Sequence, residues 1–321
     1  MSESVRTKSS DRDKAQYRLM VQASWLHYVQ GLTQAKVAEQ MALSRARVNR
    51  LVRSARDVGI VKFSITVDEA LFPEMEQELC DNYDLLDAVV VPSAEDRDSR
   101  NMSIAQGAAD WLKPRLRSDL VISLGTGRTI AHLPSALTLN QKIPCTFCDI
   151  TGTVIDEEGV EKYRVTSRMA EITGGNAVRV FAPVSVTNSE VRSALLEERS
   201  IADALRRAES SDIVIQGVGG VDHTNGLFEH GYLSQSQLQE LRSRGAAGET
   251  MGLFFNEKGQ KIPGPLDEHN ISLTIDSLRK IPRRVCLAGG VEKVEAIRAA
   301  LRGKIFNLLV TDHQTAQKLT Q

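Results

Sequence analysis

The sequence predicts an α/β protein in two parts: a small all-α head over residues 1–62 and a larger α/β body over residues 63–321. Three observations carry this reading. Apolar residues between positions 17 and 58 recur at helical spacing, punctuated by capping residues. After Pro73, short continuous apolar runs alternate with amphipathic stretches, the pattern of a largely parallel sheet covered by helices on both faces. Charge divides at the same place. The chain is nearly neutral at −1, yet residues 1–62 hold 12 Lys and Arg against 5 Asp and Glu. A basic head on an acidic body points to a polyanionic partner for the head.

Within the head, Met1 to Lys14 is polar and reads as a flexible tail. Leu19, Met20, Ala23, Leu26 and Tyr28–Val29 mark one face of a first helix, Tyr17–Val29, closed by Gly31. Thr33 caps a short second helix, Gln34–Met41, with Val37, Ala38 and Met41 inward. Ala42–Leu43 forms a tight turn. Ser44 caps a third helix that reaches about Val58, with Val48, Leu51, Val52 and Ala55 buried, and Gly59 ends it. Ile60–Val67 alternates like a strand.

In the body, strands are expected at Asp87–Val91, Leu120–Leu124, Thr146–Ile150, Val178–Phe181, Ile213–Gln216, Met251–Phe255, Ile271–Ile275, Arg284–Ala288 and Asn307–Val310. Helices are expected at Met102–Leu112, Thr129–Leu137, Arg164–Thr173, Glu190–Leu196, Ser234–Arg242, Val291–Leu301 and His313–Leu319. The domain boundary falls near residues 60–75.

The segment Thr33–Leu51, T-Q-A-K-V-A-E-Q-M-A-L-S-R-A-R-V-N-R-L, fits a helix-turn-helix residue by residue. Small Ala38 lets the two helices approach, Leu43 plugs the turn, and Val48 and Leu51 anchor the second helix. Arg45, Ala46, Arg47, Asn49 and Arg50 are left on its outer side. Arg pairs bidentately with guanine and Asn with adenine, so these are base-reading candidates. Gln34, Lys36, Ser44 and Arg53 complete the candidate DNA-binding set, with Lys36, Arg53 and Arg56 suited to phosphates. Ala42 stands where many such turns carry Gly. A positive φ there would cost about 1 kcal/mol or shift the turn.

Two strand-to-helix turns in the body carry glycines. In S-L-G-T-G-R-T-I, residues Gly125, Thr126, Gly127, Arg128 and Thr129 form either an anion cradle of backbone N–H groups and hydroxyls or a plain βα turn. The loop is neither a Walker A sequence nor G-x-G-x-x-G. In L-A-G-G-V-E-K, Lys293 falls in the first helical turn, where a cation opposes the helix dipole. It either serves a bound anion or is a solvated surface lysine.

Taken together, these segments resemble the SorC family of bacterial transcriptional regulators. The matching pieces run in family order from about residue 17 to 319: T-Q-A-K-V-A, S-R-A-R-V-N-R-L, A-R-D-V-G-I-V, S-L-G-T-G-R-T, G-V-G-G, G-A-A-G-E-T-M-G-L-F-F-N-E-K-G, L-A-G-G-V-E-K-V-E-A-I-R-A-A-L-R-G and N-L-L-V-T-D. The resemblance implies a helix-turn-helix joined to a Rossmann-like effector domain akin to sugar-phosphate isomerases and deaminases. It also implies a double-stranded DNA operator, a phosphorylated sugar or polyol effector, and a homodimer or tetramer. By that resemblance Thr126–Thr129 and Lys293 contact the phosphate, Glu249 meets sugar hydroxyls, and Thr151 is a variable ligand contact. Thr153 replaces the second glycine of a frequent Gly-Gly pair. The look is nearest to erythritol-type members, and the family implies control of a carbohydrate catabolic operon, as a repressor.

Other chemistry is set aside. Four cysteines are too few for a disulfide framework, so a reducing cytoplasm is expected. Cys145 and Cys148 lack a second pair and are expected as buried thiols. His223, His230 and His269 have no zinc spacing, and no metal or cofactor is expected. Asp149 either contacts ligand hydroxyls or caps a turn. The rival is an isomerase or deaminase with an accessory DNA-binding head; Glu249 or Asp149 could in principle serve as its base, yet no base with an orienting partner is evident. The chain is therefore read as a non-enzyme. Neither an apolar leader nor a membrane span is expected.

Overall fold

The computed structural model describes residues 15–58, 60–61, 71–154 and 163–321. The chain divides into two compact units, Met1–Thr66 and Val67–Gln321. The tail expected over residues 1–14, Gly59, and residues 62–67 of the expected strand lie outside the described residues. Ile60 and Val61 themselves form a bend.

In the first unit, α1 (residues 15–24) continues as a π-type turn over Trp25–Val29, so the expected helix is present with its last turn widened. Gly31 follows at φ 69°. Thr33 Oγ1 accepts from the Lys36 N–H at 3.4 Å and starts α2 (Gln34–Gln40). Ser44 Oγ accepts from the Arg47 N–H at 3.2 Å and starts α3 (Arg45–Asp57). Met20, Ala23, Leu26, Val37, Ala38, Val48, Leu51, Val52 and Ala55 form one buried cluster. Helices this short do not persist alone; the shared apolar face holds them. Between α2 and α3, Ala42 takes φ 53°. A Cβ-bearing residue adopts that left-handed conformation at a cost of about 1 kcal/mol.

The second unit has nine strands among the described residues: β1 (Asp87–Val91), β2 (Val121–Leu124), β3 (Thr146–Asp149), β4 (Asn176–Val178), β5 (Ile213–Gln216), β6 (Ala246–Thr250), β7 (Leu253–Asn256), β8 (Arg283–Leu287) and β9 (Leu308–Asp312). Seven make one sheet in the order β1-β9-β8-β5-β2-β3-β4, and its pairings are all parallel. β6 and β7 form a separate antiparallel hairpin. The helices are α4 (Pro73–Tyr83), α5 (Arg97–Leu112), α6 (Arg128–Ala131), α7 (Leu133–Ala136), α8 (Val165–Thr173), α9 (Ser189–Glu197), α10 (Arg199–Glu209), α11 (Gly226–Glu229), α12 (Gln235–Ser243), α13 (Ile275–Lys280), α14 (Val294–Arg302) and α15 (His313–Thr320). Two apolar clusters cover the two faces of the sheet, and alternation along β3 sends Phe147 into one and Cys148 into the other.

Several expected elements shift. The strand expected at Val178–Phe181 is Asn176–Val178, and Ile271–Ile275 forms no strand. Ser272 there makes only an isolated bridge to Thr151, and Thr274 then caps α13 by accepting from the Ser277 N–H at 3.0 Å. The helix expected at Thr129–Leu137 is two pieces, α6 and α7, because Pro134 has no N–H to continue the ladder. The helix expected from Val291 begins with a 3₁₀ turn over Val291–Lys293.

The topology defines where a ligand fits. From β2 the chain runs outward to β3 and β4, then returns to lay β5 on the other side of β2. In an open parallel sheet, the crevice beyond the C-terminal ends of two such strands is the ligand position.

Candidate functional site

At that crevice lies a cavity of about 140 Å³. Thr126, Gly127, Arg128 and Thr129 line it from the end of β2, Gln216 to Gly219 from the end of β5, and Lys293 from the turn after β8. Glu249 enters from β6, and Thr151 from the segment after β3. Gly125 lies behind, on a smaller adjoining pocket. The residues that sequence reasoning drew from four distant segments therefore share one locale. Gly127, at φ 141°, opens the β2 turn in a conformation that suits glycine.

Each wall is braced. The main chains of Gly219 and Glu249 exchange two N–H···O bonds of 2.9 Å, which pins the hairpin to the extension of β5. The hairpin turns through Met251 and Gly252, both at positive φ, and the Gly252 N–H donates to Glu249 Oε2 at 3.1 Å. Asn225, buried, donates to Gly220 O at 2.6 Å and to Glu249 Oε1 at 3.4 Å. On the opposite side, the Gly290 N–H donates to Asp312 Oδ2 at 3.1 Å and to Thr315 Oγ1 at 2.7 Å. Asp312 also accepts from the Ser93 hydroxyl at 2.9 Å and from the Thr315 N–H at 3.2 Å. That buried carboxylate fixes the Gly289–Gly290 turn from which Lys293 projects.

The electrostatics of the cavity are set mainly by burial. Burial pushes the Glu249 carboxyl above its ordinary range, against the Gly252 N–H, Lys293 and Asn225, which lower it. Burial and then the neighbouring Arg128 charge depress Lys293 below the ordinary lysine range, while Glu292 and Glu249 pull it up. Among the described residues the Lys293 side chain makes neither a hydrogen bond nor an ion pair. Arg128, by contrast, is engaged: its guanidinium pairs with Glu229 and donates to Thr224 O at 2.8 Å. The Thr129 hydroxyl donates to buried Asn101 Oδ1 at 3.0 Å, so it anchors the turn to α5.

Asp149, left open between ligand contact and cap, is taken up by protein groups. It accepts from Arg179 Nε at 2.6 Å and from the Val180 N–H at 3.2 Å. Cys145 and Cys148 are buried free thiols on opposite faces of the sheet, and burial pushes Cys148 up to about 12. No group of three or more potential metal ligands occurs among the described residues. Sequence reasoning missed Asn101, Asn225, Gln216 and Asp312. Asp312 alone carried a signal, as the N-cap after a buried strand.

On the head, Lys36, Ser44, Arg45, Arg47, Asn49, Arg50, Arg53 and Arg56 are exposed and Gln34 is half-buried. Arg45, Arg47, Arg50 and Arg53 make no ion pair among the described residues. The outer face of α3 thus presents four unpaired guanidinium groups around Asn49.

Comparison with known proteins places this geometry in a family. The family described as "Putative sugar-binding domain" matches residues 71–321. The chain is 29% identical over 304 residues to the erythritol catabolism regulatory protein EryD of Brucella abortus, covering 94% of this chain and 96% of that protein. It is 28% identical over 316 residues to the transcriptional regulator LsrR of Escherichia coli K12, covering 96% of each. Its fold is similar to that of the full-length sorbitol operon regulator SorC from Klebsiella pneumoniae, with a TM-score of 0.71, 25% identity, and coverage of 95% of this chain and 99% of that one. The chain belongs to the sugar-binding-domain family of SorC-type transcriptional regulators.

Proposed function

We propose that the protein is a DNA-binding transcriptional regulator whose operator affinity is set by a phosphorylated sugar or polyol. The observation that carries the effector half is the cavity itself. The unpaired Lys293 side chain, the glycine turn with its N–H groups and the Glu249 carboxyl converge on it from the ends of β8 and β2 and from the hairpin. A phosphomonoester carries close to two negative charges near neutral pH and needs several donors. Lys293 supplies a compact charge, and the turn Thr126–Thr129 supplies N–H groups. Glu249 accepts hydroxyls at the other end. Thr151 contacts the ligand from the side, and Gly125 backs the β2 turn, leaving room for the Gln216 side chain.

The DNA half rests on the exposed face of α3. Arg45, Arg47, Asn49 and Arg50 read base edges, while Gln34, Lys36, Ser44 and Arg53 hold the backbone. One such head covers few base pairs, so a homodimer or tetramer on a repeated site is proposed, acting as a repressor of a carbohydrate catabolic operon in the cytoplasm. Residues 1–62 then form the DNA-binding domain and 63–321 the effector and assembly domain. Control requires that the effector bind the DNA-competent and DNA-incompetent states unequally. The enzyme reading has no support in the named relatives, which are regulators.

Selection of bound duplexes from a random DNA pool tests the reading. Enrichment of a two-fold or repeated site, whose affinity changes when sorbitol phosphate or erythritol phosphate is added, is the expected result. Absence of any enriched sequence overturns the DNA half, and an enriched site indifferent to a small-molecule extract of cells overturns the effector half.

A further inference from the structure

Gln216 closes β5 and is 5% exposed, yet its side-chain oxygen has no hydrogen-bond partner among the described residues. Its side-chain nitrogen has none there either. The other buried amides around the cavity are all engaged. Asn101 accepts from the Thr129 hydroxyl, Asn225 bonds Gly220 and Glu249, and Asn270 donates to Met251 O and to Ser272 Oγ at 3.0 Å. A carboxamide with a purely structural role would be bonded in the same way, because a buried unsatisfied polar group destabilises the fold.

The carboxamide occupies a place prepared for it. An ideal Cβ on Gly125 would come within 1.6 Å of Gln216 Oε1, so the glycine leaves room for the amide between adjacent strands β2 and β5. Gln216 lines the cavity between the turn Thr126–Thr129 and the run Gly217–Gly219, whose end pairs with Glu249. We infer that Gln216 is a specificity-determining residue, an uncharged carboxamide left unpaired in the free protein to exchange hydrogen bonds with a hydroxyl, or to donate to a carbonyl oxygen, in the middle of the effector's carbon chain.

This inference rests on the effector reading above. It adds that the phosphate end and the Glu249 end do not alone select the ligand. An amide both donates and accepts, so it distinguishes a carbon that bears oxygen from one that does not. Sites built to hydrogen-bond a hydroxyl reject the analogue lacking it far more strongly than apolar sites reject a methylene.

The test compares wild type, Gln216→Met and the isosteric Gln216→Glu, as the full chain, in two measurements. Thermal unfolding without ligand is expected to place Gln216→Met at or above wild type, since it removes an unpaired amide and retains shape. A clear drop in midpoint would mean that the amide serves the fold and overturns the inference. Calorimetry then uses inorganic phosphate, glycerol phosphate, erythritol phosphate, sorbitol phosphate, and unphosphorylated erythritol and sorbitol. Both variants are expected to weaken the tightest-binding probe by about tenfold or more. Gln216→Met should leave inorganic phosphate within about twofold, and Lys293→Ala should weaken both probes. Equal affinity of wild type and Gln216→Met for the tightest probe overturns the inference alone. If wild type binds an unphosphorylated polyol and no phosphorylated probe, the phosphate reading fails, while a matching loss in Gln216→Met still supports the inference. No binding of any probe to wild type overturns the effector reading and this inference with it.

Discussion

Lys293 and Glu249 face one cavity from different elements without forming an ion pair. Each is displaced from its ordinary titration range mainly by burial, the lysine downward and the carboxyl upward. Two opposite charges held apart in a desolvated space leave each other's attraction unsatisfied, and a ligand carrying an anion at one end and hydroxyls at the other relieves both.

Lys293→Ala is therefore expected to weaken a phosphorylated effector by about 10- to 100-fold, the range of a hydrogen bond to a charged group. Calorimetry with the tightest polyol phosphate checks it. DNA binding in the absence of effector should stay within about twofold, because the substitution leaves the exposed face of α3 untouched.

The carboxyl gives a pH prediction. A folded-state pKa raised above the unfolded value means that the folded protein holds the extra proton between the two values. Stability contributed by Glu249 is then largest below its unfolded value and is lost as pH rises through the folded one. Glu249→Gln does not titrate. Its unfolding midpoint relative to wild type should rise as pH increases from about 4 towards neutrality. A difference that is flat with pH contradicts the burial of this carboxyl.

In the head, Ala42 at φ 53° carries a strain that glycine relieves. Ala42→Gly should stabilise the head by about 0.5 kcal/mol or less, net of glycine's greater unfolded-state entropy. Denaturant titration followed through Trp25, half-exposed on the same unit, reads it.

Arg45 and Arg47 project from the first half of α3, so replacing both with Ala should relax base preference, each contact being worth about 1–3 kcal/mol. Arg56, farther along, should weaken all duplexes nearly equally when replaced. Competition titrations with enriched and scrambled duplexes separate the two effects. Unaltered preference in the double variant contradicts this placement of the helix.

Much of this was legible because the residues concerned signal locally. Thr33 and Ser44 announce helix starts, and Val37, Ala38, Val48 and Leu51 announce the faces that meet. Continuous apolar runs such as Ile213–Gln216 announce strands buried on both sides. The glycines at 125, 127, 289 and 290 mark turns at strand ends before any fold is known. What stayed hidden depends on partners distant in sequence. The first hairpin strand, Ala246–Thr250, has no alternating apolar pattern, and its turn is built on Met251, a residue with no turn preference. Ile271–Ile275 is apolar enough for a strand, but Thr274 caps a helix there. Asp149 reads equally as a ligand contact or a turn cap, and Arg179, 30 residues away, decides the matter by occupying it. Gln216 looked like the unremarked end of a strand, and only the space above Gly125 shows it as an unpaired group.

The most direct measurement of the central claim is mass spectrometry of small molecules captured from a cell extract by the full-length protein and released by denaturation. Wild type should release a phosphomonoester of a sugar or polyol in near-stoichiometric amount, and the Lys293→Ala/Thr129→Val double variant should release little of it. A captured ligand with no anionic group, or equal capture by the double variant, would contradict the proposed phosphate site.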